Sequence, residues 1–398
     1  MKPRVLIVSA VVPAIRLGGG CLALHRHFVE RDDFTVAVAS RIAGESSCLE
    51  QFPIRADRIW GRAKRTALGR LLTNAEYFSA GWRLPGGLLR FAKEWKPDLI
   101  FSVADDFHAP MAQRLAQKLD IPFVIDFQDL FACSNFHSGI RRPYRWLIPR
   151  LLRRYRRLQH SADAVFHTGE GMRDWFGEDA RGEVLYPVGA AGDGKPVAPL
   201  APVDRITLIY AGNCYGPYGE LLLQLAHQLE NHPGIALEIY TMHNDWPRRE
   251  VEHFTRCGIY RGFLPFEQLR KELSRADAFL TTMSFQPADR TFMETSFTTK
   301  WLDYAPFGKP IFVWAPAYSS TARFARETGA GVVVDKPEPQ AVVSAIQTAI
   351  ANPNQWGEAG RAAARVAANE LNTERLHGLL HQKLMELVMT NRVASRSK

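Results

Sequence analysis

The sequence predicts an α/β protein built from two doubly wound domains. Three observations carry this. Short apolar, β-branched runs alternate with helical patterns from Val5 onward, the rhythm of βα units and a parallel sheet. The rhythm stops at 187–205, PVGAAGDGKPVAPLAPVDR, a Gly/Pro/Ala-rich stretch that reads as a linker, and restarts at Ile206. The chain has 398 residues, enough for two sizeable cores. The expected division is 1–195, 205–372, and a closing helical segment 373–398 that can cross back to the first domain.

In the first half, 5–12 reads as a strand, 13–20 as a loop ending in three glycines, and 21–30 as a helix. Strand, Gly-rich loop and helix open a Rossmann-like unit. Gly19 and Gly20 either let the backbone approach a ligand or simply make a tight turn, since GGG lacks the GxGxxG spacing. Strands follow at 34–40, 97–103, 121–127, 164–167 and 184–186. The stretch 55–92 is helical in pattern, with breaks at Pro85 and Gly86-Gly87, and 111–119 is a helix. Polar turns close two strands: Asp105-Asp106-Phe107-His108, and Gln128-Asp129 after Asp126.

The second half gives strands at 206–210, 235–240, 259–263, 278–282 and 331–334. Helices fall at 220–229, 265–274, 340–351, 358–369 and 373–389, and the basic tail ASRSK reads as irregular. Its most informative stretch is 294–316, ETSFTTKWLDYAPFGKPIFVWAP. Ser296, Thr298 and Thr299 are good N-cap residues, Gly308 and Pro310 stop the helix near Phe307, and Ile311 to Trp314 form a buried strand. A helix start offers backbone N–H groups to an anion. Lys300 adds a cation there, and Asp303 adds a carboxylate for a sugar hydroxyl; the same pattern also suits an ordinary Thr-capped amphipathic helix.

Net charge is +9 and the pI near 9.4, which favours anionic partners. No nucleic-acid recognition motif accompanies that charge. The five cysteines are scattered without metal or disulfide spacing, the N-terminus runs straight into a strand rather than a signal peptide, and no apolar run spans a bilayer. His25-x-His27 and Asp105-Asp106 read as non-ligands, so no metal is expected.

The string TSFTTKWLDYAPFGKPIFVWAP resembles the donor segment of retaining nucleotide-sugar glycosyltransferases of the GT-B fold, the bacterial surface-polysaccharide, family 4-like type. Thr299, Lys300, Asp303, Tyr304, Gly308, Lys309 and Pro310 match that segment, and Thr298 replaces a frequent Pro. The resemblance implies two Rossmann-like domains facing a cleft, with a nucleotide-sugar donor on the second and a glycan or lipid-linked saccharide acceptor on the first. It places Lys300 on the diphosphate and Asp303 on the ribose, with Gly19, Gly20, Gly212, Asn213, Gly262, Glu294, Thr298 and Thr299 as further donor residues. Glu294 stands one residue from the family's other acid. DFQDLF (126–131) is similar to an acceptor-side Asp-Phe-Arg-Asp stretch, which nominates Asp126, Asp129 and, from the preceding turn, His108 for catalysis. On their own, Asp126 reads equally as a loop cap and Asp129 as solvated, and His25 as a packed or surface His. The resemblance implies metal-free transfer and no cofactor.

The chain departs from the family after Gly212, where Asn213-Cys214-Tyr215-Gly216-Pro217-Tyr218-Gly219 lacks the usual Arg after the glycine and the Lys about five residues later. Lys300, Arg16 or Arg261 must then supply that charge, or the protein is a non-catalytic GT-B module that binds a partner or glycan. Finally, 141–158, RRPYRWLIPRLLRRYRRL, holds arginines and no acid. Tyr144, Trp146, Leu147, Leu151, Tyr155 and Leu158 recur at helical spacing, which predicts two short amphipathic pieces lying in an anionic membrane surface; the same pattern also suits a core-packed helix with a solvated basic face. A cytoplasmic protein, peripheral on the inner face of the membrane, is the expected setting.

Overall fold

A computed structural model describes residues 2–15, 19–54, 66–133, 142–189 and 205–396. Arg16, Arg141 and most of the linker lie outside the described residues. The chain forms two compact units, one of Met1–Val188, Thr295–Phe297 and Thr373–Lys398, the other of Gly189–Glu294 and Thr298–Asn372.

The first unit holds a seven-stranded sheet of β1 (Arg4–Val8), β2 (Thr35–Ser40), β3 (Glu50–Pro53), β4 (Leu99–Val103), β5 (Phe123–Phe127), β6 (Ala164–His167) and β7 (Glu183–Val184), in the order β3-β2-β1-β4-β5-β6-β7. Every pairing is parallel, as in Val5↔Val36 and Ile100↔Phe123. Burial on both faces explains the unbroken apolar runs: β4 and β5 are buried throughout. The second unit holds β8 (Ile206–Ala211), β9 (Ile235–Tyr240), β10 (Tyr260–Gly262), β11 (Ala278–Thr282), β12 (Ile311–Trp314) and β13 (Val332–Val334), again parallel, in the order β10-β9-β8-β11-β12-β13. In each sheet the strand order reverses beside the first strand of the unit. Those two switch points, β1/β4 and β8/β11, are where a doubly wound sheet leaves a crevice at its carboxyl ends.

Several elements differ from the sequence reading. Gly19 and Gly20 are not loop residues but open the helix Gly19–His25, which continues as a π-helical turn, Arg26–Glu30. The short edge strand Glu50–Pro53 and the helix Arg248–Arg256 hold few apolar residues and were not anticipated. The tail is helical through Arg396 rather than irregular. That last helix, Thr373–Arg396, is tied into the first unit by polar contacts: Glu374 to Arg31, Arg392 to Asp98 at 2.9 Å, and His377 to both Asp33 and His27.

The segment 141–158 folds differently from two membrane-lying pieces. Pro149 sits in the first turn of a single helix, Ile148–Ser161, where its missing N–H is harmless. Leu147, Leu151, Tyr155 and Leu158 are essentially fully buried in the core of the first unit. The apolar face is therefore used internally; only the basic face and Trp146, 66% exposed, remain at the surface. Among the described residues no helix is long and apolar enough to cross a membrane.

Candidate active site

In the second unit the donor-type residues gather at the carboxyl end of β8. Gly212 follows that strand with φ +148°, and a Cβ there would fall 2.6 Å from Lys300 Cε and 3.0 Å from its Nζ. Gly212 is thus the residue that lets the Lys300 side chain cross the strand end. The ammonium lies 5.0 Å from the ring centre of Tyr210 and 5.9 Å from that of Tyr218. Burial lowers its pKa to about 8, against a smaller opposing pull from Asp303.

The helix Lys300–Tyr304 is short and continues as a 3₁₀ turn, Ala305–Phe307, before left-handed Gly308. Its position is fixed from beneath. The Tyr304 hydroxyl accepts the Ala211 N–H at 2.7 Å and lies 3.2 Å from the Ala211 carbonyl, and its ring stacks on Phe279. Trp301 Nε1 donates to Thr321 at 2.7 Å. These contacts lock Lys300 to the end of β8. The capping reading needs correction: the Thr299 side chain makes no cap, and the Lys300 N–H reaches Thr298 Oγ1 only at 3.5 Å. Ser296 instead hydrogen-bonds to Asp129 within the first unit.

The remaining donor nominations are dispersed. Asn213 is exposed beside Gly212, and its carbonyl accepts the Tyr210 hydroxyl. Glu294 is held by Arg290 at 2.8 Å in a surface pair. Gly262 ends β10 with φ +69°. Arg261 is committed to Glu238 at 2.6 Å, so it does not replace the missing cations. Of the described residues named for that charge, Lys300 is placed at the strand end and Arg261 is not.

The acceptor-type residues of the first unit sit at the ends of β4 and β5. Asp105 accepts the Ala10 N–H across the switch point at 2.9 Å and the N–H groups of Phe107 and His108. It also holds His108 Nδ1 at 2.9 Å, which leaves Nε2 of this buried ring without a partner. Burial pushes the Asp105 carboxyl up, but His108 and the amides of Phe107 and His108 outweigh it and leave the pKa lowered. Asp105 was missed as a partner because its role is set by the turn that brings it under His108, not by residue type. Asp126 is buried, accepts Gln128 Nε2 at 2.8 Å through one oxygen, and leaves the other unpartnered. Burial raises its pKa to about 7. Asp129 is half-buried and raised to about 6, with the Ser296 hydroxyl opposing the shift. Gly20 packs against the same group: a Cβ there would meet Gln128 Oε1 at 2.5 Å. Gly19 stands exposed beside it, and His25 is half-buried with Nδ1 unpartnered.

Glu230, His253 and Cys257 come together in the second unit, with His253 bonded to Glu230 at 2.6 Å.

Residues 22–185 match the family described as glycosyl transferase 4-like domain. No curated protein matches the sequence. Among solved structures, HepE from Anabaena in complex with UDP is 16% identical with a TM-score of 0.64, covering 97% of this chain and 100% of that one. HepE with UDP and glucose gives 14% and 0.63 over 97% and 100%. Sucrose-phosphate synthase from Thermosynechococcus elongatus gives 13% and 0.64 over 98% and 100%. Residues 22–185 are thus similar to a glycosyl transferase 4-like domain, and the chain has the two-domain α/β GT-B fold.

Proposed function

We propose that the protein transfers a sugar from a nucleotide-sugar donor to a glycan or lipid-linked saccharide, with retention, in bacterial surface-polysaccharide assembly. The observation that carries this is the Lys300 ammonium, partly desolvated at the β8 end in the room Gly212 leaves. Such a cation suits a diphosphate leaving group, whose charge grows as its bond to the anomeric carbon breaks. HepE, in its structures, holds UDP or UDP-glucose, which supports a uridine nucleotide as the first donor to try. Asp303 takes the ribose, and Thr298 and Thr299 lend backbone N–H groups to the phosphates. Lys300 carries the neutralising charge, so no metal is assigned to the step.

On the acceptor side, Asp129 is the carboxylate a hydroxyl can reach. A pKa near 6 suits a group that takes a proton at neutral pH. Asp126 and the Asp105-oriented His108 are more deeply buried at the ends of the neighbouring strands. The unpaired basic face of Ile148–Ser161 is the part that would meet an anionic membrane from the cytoplasmic side. Incubation with UDP-sugars, reading UDP release with and without candidate acceptors, tests the assignment; loss of release in both Lys300→Met and Asp129→Asn is expected.

A second reading has one observation in its favour. The stretch from Gly212 to Gly219 holds neither the Arg after the glycine nor the Lys about five residues later that the resembled family places on the diphosphate. A non-catalytic binding module would bind UDP in calorimetry and release none from any UDP-sugar.

A further inference from the structure

Several arginines among the described residues form salt bridges with a carboxylate, as in Arg41–Glu76, Arg261–Glu238 and Arg326–Asp335. One cluster forms none. Two neighbouring helices of the first unit, His108–Leu119 and Ile148–Ser161, together with the turn at Ala80–Trp82, form a groove of about 240 Å³. Arg114, Arg150, Arg154 and Arg157 line it, with Gln113 and Gln117, and no acidic side chain is among its lining residues. None of the four guanidinium groups makes a direct salt bridge with a described residue, although the buried Asp106 carboxylate attracts Arg154.

The arrangement is held in place rather than splayed. Arg154 donates to three carbonyl oxygens, those of Tyr77 at 2.7 Å, Phe78 at 3.0 Å and Asp106 at 3.2 Å. Arg150 lies over the Phe78 ring at 4.2 Å, and its Nε is buried without a partner. Residues 150, 154 and 157 fall on one helix face. Arg156, on another face, is engaged by the carbonyls of Trp175 and Phe176 and stays out of the groove. Gly81 sets the end wall: its φ is +82°, and a Cβ would lie 2.8 Å from Pro110 Cβ, so only glycine lets this turn close onto the helix. Trp82, 56% exposed, is carried at the rim by the same turn.

Four like charges converging on one concave surface repel each other, and fixing two of them prevents relief by splaying. An oxyanion with several acceptor oxygens removes that repulsion and matches the forked donor geometry of arginine. We propose that this groove binds a phosphoryl group, either free phosphate or the phosphate of a lipid head group. It does so whether or not Lys300 binds a nucleotide.

The test is calorimetric titration of the full chain with inorganic phosphate at low ionic strength. Arg114 and Arg157 are exposed and make no hydrogen bond to a described residue, so the double variant Arg114→Gln/Arg157→Gln is expected to fold with an unchanged melting point. It should bind phosphate at least tenfold more weakly, while Lys300→Met retains the wild-type affinity for it. Absence of saturable phosphate binding, equal binding by the double variant, or loss of the signal in Lys300→Met instead would overturn the proposal. Co-sedimentation identifies the source. Retention on phosphatidic acid but not phosphatidylcholine vesicles, competed by phosphate, supports the lipid head group; phosphate binding without retention supports the free anion.

Discussion

Replacement of Lys300 by Met removes the ammonium but keeps an unbranched chain that still fills the space beside Gly212. Two effects of opposite sign follow. In the free protein the ammonium is partly desolvated, and its pKa falls from 10.5 to about 8. The folded state therefore holds fewer protons than the unfolded chain between about pH 8 and 10.5, so this group makes stability rise with pH across that window. Below pH 8 its charge opposes folding. A shift of this size corresponds to at most about 3 kcal/mol, a ceiling because the side chain keeps some solvent contact. Lys300→Met should consequently be as stable as the native chain at pH 7, or more so.

Nucleotide binding should move the other way. Loss of a charge-assisted contact to a diphosphate weakens binding by about 1.5–3 kcal/mol, which is roughly 10- to 150-fold in Kd. The native chain should also bind UDP more weakly as pH rises through about 8, where the free ammonium loses its proton. The variant should show no such step. Calorimetry with UDP from pH 6.5 to 9.5, beside thermal melts of the free proteins, measures both effects. Equal UDP affinity in the two proteins across that range would refute the assignment of Lys300 to the diphosphate. A variant that melts far lower would refute the account of its burial.

Gly212→Ala should weaken UDP binding by about tenfold, or 1.4 kcal/mol, because its Cβ would displace Lys300, and it should do so without changing the affinity of Lys300→Met; titrations of the single and double variants decide this. Burial raises the Asp126 pKa to about 7, so the folded state holds the extra proton between roughly pH 4 and 7, and stability should fall as pH rises through that window. Denaturant melts of Asp126→Asn should show a flatter pH dependence. Leu151→Ala should destabilise the first unit by about 2–5 kcal/mol, since that side chain is fully buried; a surface-lying helix would leave the melting point nearly unchanged.

The strands were legible because a parallel sheet covered on both faces imposes unbroken apolar runs, and nearly every such run found its place in one of the two sheets. What the sequence hid depends on packing. The apolar stripe of Ile148–Ser161 has the same spacing whether it faces lipid or a core, and only the fold shows Leu147, Leu151 and Leu158 turned inward. Thr298 and Thr299 look like caps, yet the helix they precede is too short and too closely tied to Ala211 for side-chain capping to set its start. Lys300 and Asp303 stood out as charges in an apolar segment. Their aromatic frame of Tyr210 and Tyr218, and the link between Lys300 and Gly212, join residues nearly ninety positions apart and leave no local signal.

The placement of the unpaired polar atoms argues for function rather than stability in the first unit. His108 Nε2 and Asp126 Oδ1 are buried without hydrogen-bond partners, both at the carboxyl ends of β4 and β5. Each such atom costs about 1–3 kcal/mol, and apolar side chains of similar shape would remove that cost. The same stretch is otherwise well satisfied: Asp105 alone accepts three backbone N–H groups and one imidazole. A structure that fully satisfies Asp105 while leaving the outer nitrogen of His108 open has oriented that nitrogen, because the bond on Nδ1 fixes both the ring and its tautomer. Orientation is wasted on a residue that only packs. Asp105→Asn should therefore leave the fold intact while shifting the pH dependence of turnover, and Asp105→Ala should lower the melting point as well, by stranding three amides. A pH–rate profile identical in the Asn variant and the native chain would return His108 to a packing role and leave Asp129 alone at the acceptor.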